Sequence, residues 1–323
     1  MSNPWSAISK PSSEFNVRLV SDDHPLKLFW GIDSKGQYLF IVDAPKIGLP
    51  EKNALPNLAG IKTAIATEGE RGKLVLLLNE KLNWELFYAL CSDLVRSTST
   101  IKNESSGGAI ILRRLQRWQE FLRKERLEIL PVEKIKGLIG ELLFMRDTIA
   151  VDCGWDDAVV SWKGPEDAPQ DFAIHDTAVE VKCQSGSSRP TVRVSSVEQL
   201  NPQLPKGFLV VYTLATADRE SPDAFTLNEI VASIRAALVS CSESSRERFE
   251  DLIYLAGYIY SEKYDEFIFQ RIALKCFKIE DGFPRLKAAD VPDGIDKVTY
   301  NLSLDACASF EAQLKLERAN HDH

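Results

Sequence analysis

Apolar positions in the first hundred residues recur at the two-residue spacing of strands. LKLFWGIDSKGQYLFIV, residues 26–42, predicts a hairpin turning at DSKGQ, and GIKTAIAT followed by EGERGK and LVLLL predicts a second. The period then lengthens: in LNWELFYALCSDLVRS, Leu82, Leu86, Leu90 and Leu94 repeat at the four-residue spacing of a helix. STSTIKNESSGG breaks that pattern with polar and small residues. A linker is therefore expected at 99–108, between a β-rich domain at 1–98 and a second domain at 109–323.

Past the linker, AIILRRLQRWQEFLRKERLEIL is helical in pattern, and Pro131 opens a further helix through EKIKGLIGELLFMRDTI. Short strands are predicted at VVSW, DFAI, AVEVKC, TVRVSS and FLVVYTLA, followed by a helix through LNEIVASIRAALVS. Three more strand-like pieces, LIYLAGYIY, EFIFQRIALKCFKI and KVTYNLSL, precede a final helix at ACASFEAQLKLER. Helices alternating with strands in this order predict an α/β core flanked by helices.

One stretch, QDFAIHDTAVEVKC at 170–183, sets charged residues among small and apolar ones. Strand alternation puts Val179, Val181 and Cys183 on one face and Glu180 and Lys182 on the other. Any even-numbered turn centred on His175 and Asp176 then brings Asp171 directly opposite Glu180. Cross-strand carboxylates with Cβ atoms about 4.5–5.5 Å apart repel one another unless a cation compensates them. The plain alternative is an amphipathic hairpin whose charged residues face water.

Composition narrows the chemistry. With 44% hydrophobic and 27% charged residues, the 323-residue chain has the make-up of a globular protein with room for two domains. Its longest apolar runs, such as LVLLL, are far too short to span a membrane, and MSNPWSAISKPSS lacks the apolar core of a signal peptide, so a cytoplasmic location is expected. The six cysteines form no Cys-x-x-Cys pair and are expected reduced in the core. Four histidines, two of them in the terminal NHDH, leave little material for a histidine metal site or triad, so carboxylates must carry any metal chemistry. The net charge of −8 argues against a protein that coats nucleic acid without selection, but not against a local basic groove.

In the helix from about 133 to 149, Ile135, Leu138, Leu142, Met145 and Ile149 form the buried stripe, and Glu141 sits on its shoulder. Gly137, one turn earlier on the same side, leaves room for the close approach of another element. A helix Glu141, then Asp171, then Glu180-Val181-Lys182, in the order helix, strand, strand, resembles the PD-(D/E)XK nuclease superfamily. SWKGPEDAPQDF…AVEVKC, the later VRVSSVEQL and the distant FPRL…VPDGIDKVTY are similar, more narrowly, to the restriction-like family of prokaryotic defence gene clusters. This similarity spans about residues 110–301, and the pattern departs at Gln170, which stands where the motif has proline.

The resemblance implies a restriction-endonuclease-like mixed sheet and phosphodiester hydrolysis with Mg2+, for which Mn2+ would substitute. By the same resemblance Asp171, Glu180 and the Val181 carbonyl would bind the principal metal, Glu141 would assist, and Lys182 would orient or activate the attacking water. Gln184, two residues on along the same face, is an accessory candidate. Residues 111–136 hold Arg113, Arg114, Arg117, Arg123, Lys124, Arg126, Lys134 and Lys136 against Glu120, Glu125, Glu128 and Glu133, a local excess of positive charge that suits phosphates or a solvated helix face. Lys163, Arg189 and Arg193 flank the proposed site as candidate DNA contacts. DNA is the implied partner, with ATPase or methyltransferase subunits of a defence system, or a second copy of the chain, as further candidates. A DNA-binding module without strong hydrolysis and a scaffold subunit are the rival classes.

Overall fold

The computed structural model describes residues 3–316 except 13, 80–83, 100, 125–128, 187–189 and 296, and leaves the side chains at 120, 121, 123 and 124 outside that description. Leu82, Glu125, Arg126, Glu128 and Arg189 thus lie outside the described residues, as do the side chains of Glu120, Arg123 and Lys124. The chain divides into two compact units, Met1–Glu128 and Ile129–His323.

The first unit is built on an antiparallel sheet of β1 (Phe15–Leu19), β2 (Lys27–Asp33), β3 (Tyr38–Pro45), β4 (Ile61–Glu68) and β5 (Arg71–Leu78) in the order β1-β2-β3-β5-β4. Both expected hairpins form, β2 with β3 and β4 with β5. Helix α1 (Trp84–Ser97) follows, then α2 (Gly107–Lys124). Helix α2 belongs to this unit rather than opening the second, so the division falls later than the polar run suggests. Ile111, Leu115, Trp118 and Leu122 form its buried stripe. The polar residues of the run make local contacts instead of spacing two domains: Asn103 caps a turn at Ser106, and Glu104 pairs with Arg71 at 2.9 Å.

The second unit opens with α3 (Val132–Phe144), which Pro131 precedes at the N-cap position. Every residue of the expected stripe, Ile135, Leu138, Leu142, Met145 and Ile149, is buried. A π-turn at Met145–Ile149 leads into the short α4 (Ala150–Asp152), and α5 (Trp155–Ser161) comes next. The sheet follows as β6 (Phe172–Ile174), β7 (Thr177–Ser185), β9 (Lys206–Thr216) and β10 (Phe269–Lys278), with β8 (Thr191–Val194) and β11 (Tyr300–Ser303) as a separate ribbon. In the order β10-β9-β7-β6, the β7–β9 pair is parallel and the others antiparallel. Helix α6 (Leu227–Leu238) and α7 (Glu243–Leu255) join α3 and α5 in the large core on one sheet face. A smaller core, made by the β8–β11 ribbon with Leu209, Val211, Phe277 and Phe283, covers the other face.

Three expected elements differ. VVSW is the end of α5, with Trp162 in an isolated bridge to Phe172 rather than in a strand. A four-residue apolar run cannot by itself separate the two periods. Of LIYLAGYIY only Leu252–Leu255 are helical, as the end of α7, because Phe249, Leu252 and Ile253 share its buried face and Ser242 caps its start, and the rest leaves the helix in a turn without forming a strand. The expected final helix is replaced by a 3-10 turn at Asp305–Phe310, after which the chain runs along β10: Glu311 bridges Phe277 and the Ala312 N–H donates to the Cys276 carbonyl at 2.9 Å. The free edge of β10 supplies backbone partners there that a helix would forgo. Among the described residues no helix is long and apolar enough to cross a membrane, and all six cysteines are free thiols.

Candidate active site

The ladder between β6 and β7 sets the geometry. Phe172 faces Val179, Ala173 faces Ala178 and Ile174 faces Thr177 around the two-residue turn at His175 and Asp176, so Asp171 lies one residue past the end of the ladder, next in register to Glu180. His175 takes φ +50°, the left-handed conformation such a turn asks of a central residue. Asp171 is then held from two sides. Its carbonyl accepts the N–H groups of Lys163 at 2.7 Å and Gly164 at 3.0 Å, and its Oδ2 accepts the Val181 N–H at 2.8 Å.

Glu180 does not face water. It projects from the β7 face that the smaller core covers and is 1% exposed. Its Oε1 lies 2.7 Å from Lys182 Nζ, an ion contact without the directionality of a hydrogen bond, and among the described residues its Oε2 has no hydrogen-bond partner. Lys182, also sheltered, donates to the Gln199 side-chain oxygen at 3.1 Å. A buried carboxylate oxygen without a donor costs free energy that most folded proteins avoid.

Glu141 reaches the same cleft from α3. Trp162 donates its indole N–H to Glu141 Oε2 at 2.7 Å. A Cβ placed on Gly164 would lie 2.9 Å from Asp171 Oδ1 and 3.0 Å from Glu141 Oε2, so these oxygens border one small space that the missing side chain leaves open. Their separation is at most the sum of those distances. The close approach of helix to sheet depends on Gly140, where a Cβ would collide with Cys183 Sγ and crowd Val181. Gly137, the position expected to serve that purpose, meets nothing within 4 Å.

The electrostatics follow from this crowding. Burial pushes the Asp171 carboxyl up to about 6, against the opposing pull of the Val181 N–H and Lys182. Glu141 is raised well above the usual carboxylate range, first by burial and then by Asp171, with Trp162 and Lys182 opposing. Glu180 is raised well above it for the same two reasons, with Lys182 opposing. Three acids and one lysine leave the cleft short of positive charge.

Gln184 is no surface residue: it donates to Thr213 Oγ1 at 3.0 Å, while its own buried oxygen lacks a partner among the described residues. Lys163 is half-buried with Nζ 3.7 Å from Glu166, and Arg193 is exposed on β8. The basic stretch at 111–136 is split between the two units, and its Arg114 is buried 3.9 Å from Asp93, which removes it from any phosphate-facing surface. Trp162, Gly164 and Gln199 were not singled out from sequence. All three lie within segments that carry the family resemblance, but only contacts across the fold give them roles.

Over residues 1–305 the chain matches the family model DUF4420, whose description reads "Putative PD-(D/E)XK family member". The chain belongs to this family. The match reaches well beyond the expected 110–301 and includes the whole β-rich unit, so that unit is part of what defines the family. The mixed sheet flanked by helices is restriction-endonuclease-like, as expected, and membership makes the chain nuclease-like. No curated protein and no solved structure matches the chain.

The PD-(D/E)XK superfamily implies a divalent metal, and the cleft has features that suit one. Glu180 Oε2 is a buried carboxyl oxygen without a hydrogen-bond partner among the described residues, and Gly164 leaves space beside Asp171 Oδ1 and Glu141 Oε2. Among the described residues no three His, Cys, Asp or Glu groups close into a cage around an ion. Carboxylate oxygens of this kind suit a hard divalent cation.

Proposed function

We infer that this DUF4420 protein is a metal-dependent DNA endonuclease that hydrolyses phosphodiester bonds within a restriction or phage-defence system. The observation that carries the reading is Glu180 Oε2, a buried carboxylate oxygen left without a donor beside Asp171 and Lys182. A fold maintained for packing alone would gain by replacing that charge with an apolar group.

Each residue has a task on this reading. Asp171 and Glu180, with the Val181 carbonyl, would hold the principal ion, and Glu141, oriented by Trp162, would assist from the α3 side. Magnesium, when bound, supplies charge neutralisation at the phosphate and acidifies a coordinated water. Lys182 holds its ammonium beside Glu180, where it can orient the attacking water or a phosphate oxygen. The smaller core keeps bulk water away from Glu180, which strengthens every charge interaction in the cleft. Lys163 and Arg193 would contact phosphates on either side, and Arg189 lies outside the described residues.

Plasmid cleavage with and without magnesium, comparing the parent with Lys182→Ala, tests the reading. Magnesium-dependent cutting by the parent and its loss in the folded variant are expected. Equal cutting by both, or none by the parent, overturns it.

A further inference from the structure

Between β8 and β9 the chain makes a 3-10 turn at Val197–Leu200, anchored by the buried Val197 and Leu200. Side chains from several parts of the second unit hold its carbonyls. Asn201 donates to Val197 O at 2.6 Å and also to Leu286 O at 2.8 Å. Gln170 donates to Glu198 O at 2.6 Å, and Arg285 donates to Leu200 O at 2.5 Å. The turn presents Gln199, whose side-chain oxygen accepts from both Lys182 Nζ at 3.1 Å and the Ser195 N–H at 2.8 Å.

Lys182 thus has two acceptors, Glu180 Oε1 and Gln199 Oε1. They are not equivalent. Glu180 is itself a candidate metal ligand, so an ion in the cleft competes with Lys182 for its charge. Gln199 is neutral, and its oxygen is fixed by the Ser195 N–H, so it offers the ammonium a partner that a cation does not take away. Gln170 gives the motif's one departure a purpose. A proline there would have no side-chain donor for the Glu198 carbonyl, whereas Gln170, next to Asp171 in the chain, ties the Gln199 turn to the segment that carries the aspartate into β6.

We propose that Gln199 is a positioning residue that keeps Lys182 in place when a divalent cation takes Glu180, and that Gln170 secures the turn from which it acts. The proposal rests on the nuclease reading. Its test is calorimetric titration of the chelator-treated full chain with Mn2+, alongside cleavage kinetics. Gln199→Leu keeps the size but removes the acceptor. It weakens Mn2+ binding on the order of 10-fold, the scale of one hydrogen bond to a charged group, because the ion-bound state then leaves a sheltered ammonium unpaired. In cleavage the same variant lowers kcat with little change in KM. Gln199→Glu, which can accept from both Lys182 and Ser195, restores Mn2+ affinity to the parent level or above and recovers kcat. Gln170→Leu shifts Mn2+ affinity in the same direction by about 2-fold to 5-fold, the scale of a neutral hydrogen bond. If folded Gln199→Leu binds Mn2+ and cleaves as the parent does, or Gln199→Glu fails to restore either property, the proposal is wrong while the nuclease reading stands. If Gln199→Leu does not fold, parent-like Mn2+ binding by Gln170→Leu overturns the proposal. A parent that neither takes up Mn2+ nor cuts DNA overturns the nuclease reading and the proposal together.

Discussion

Two buried acids, one in each unit, have opposite surroundings. Asp93 in α1 is 3% exposed, and each of its oxygens is used: Trp118 donates its indole N–H to Oδ2 at 3.0 Å, Arg96 donates to Oδ1 at 3.0 Å, and Arg114 stands 3.9 Å away. Glu180 in β7 is as deeply buried, yet it has one lysine on Oε1 and nothing on Oε2 among the described residues, with Asp171 and Glu141 adding further negative charge. Burial alone therefore does not separate these two acids. The balance of donors does: Asp93 completes a network that fastens α1 to α2, whereas Glu180 belongs to a cluster that lacks positive charge.

The largest expected effect lies with Asp93. Asp93→Ala removes the carboxylate that accepts from Trp118 and Arg96 and faces Arg114, and should lower unfolding stability in urea by about 3–5 kcal/mol. Glu180→Gln should cost less than about 1 kcal/mol, because the side chain keeps its shape and relieves the repulsion from Asp171 and Glu141. Equal losses in the two variants would break the comparison.

Catalysis should reverse the order. Glu180→Ala and Lys182→Ala are each expected to slow DNA cleavage by about 100-fold or more. Both should stay folded, because Val179 and Val181 on the opposite face of β7 do the packing against the large core. Asp93 variants that remain folded should cleave at the parent rate, a result checked on the same plasmid substrate.

The pH dependence of stability sharpens the contrast further. Asp171, Glu141 and Glu180 bind protons more tightly folded than unfolded, so the folded state holds more protons and their contribution to stability falls as pH rises. For Asp171 the loss begins near its ordinary value of 3.8 and is complete above about 6. For the two glutamates it continues higher. Glu141→Gln should accordingly raise the metal-free melting temperature more at pH 8 than at pH 5. Mn2+ should stabilise the parent more at pH 8 than at pH 5, since it competes with protons for the same oxygens. Melting curves with the same pH dependence in parent and variant would remove the electrostatic account of the cleft.

The smallest effects separate two glycines on α3. Gly140→Ala forces a methyl group into Cys183 and Val181 and should destabilise by about 1–3 kcal/mol. Gly137→Ala meets open space and should stabilise the helix by about 0.5–1 kcal/mol. Thermal melts of the two variants check the assignment.

Much of the cleft was legible in the chain because it depends on local periods. A two-residue strand period and an even turn are enough to set Asp171 opposite Glu180, and a 3.6-residue stripe is enough to put Glu141 on the shoulder of α3. Short apolar runs were harder. VVSW and LIYLAGYIY satisfy either period, and the helical state of Val159–Ser161 and Leu252–Leu255 was decided by the core they help to fill. The choice between Gly137 and Gly140 depended on which turn of α3 crosses β7, which no single-helix pattern contains.

The order helix, strand, strand and the acids and lysine carried on it are properties of the sequence alone, since backbone geometry repeats wherever the pattern does. The burial of Glu180, the space at Gly164, the hold of Trp162 on Glu141 and the Gln170–Gln199–Lys182 contacts were decided only in the folded chain. Each joins segments separated along the chain, and the layer that shelters Glu180 draws on residues from Val192 to Cys307. Local periodicity can set a residue's face, but what covers that face depends on long-range packing, and so does the balance of charge that gives the cleft its chemistry.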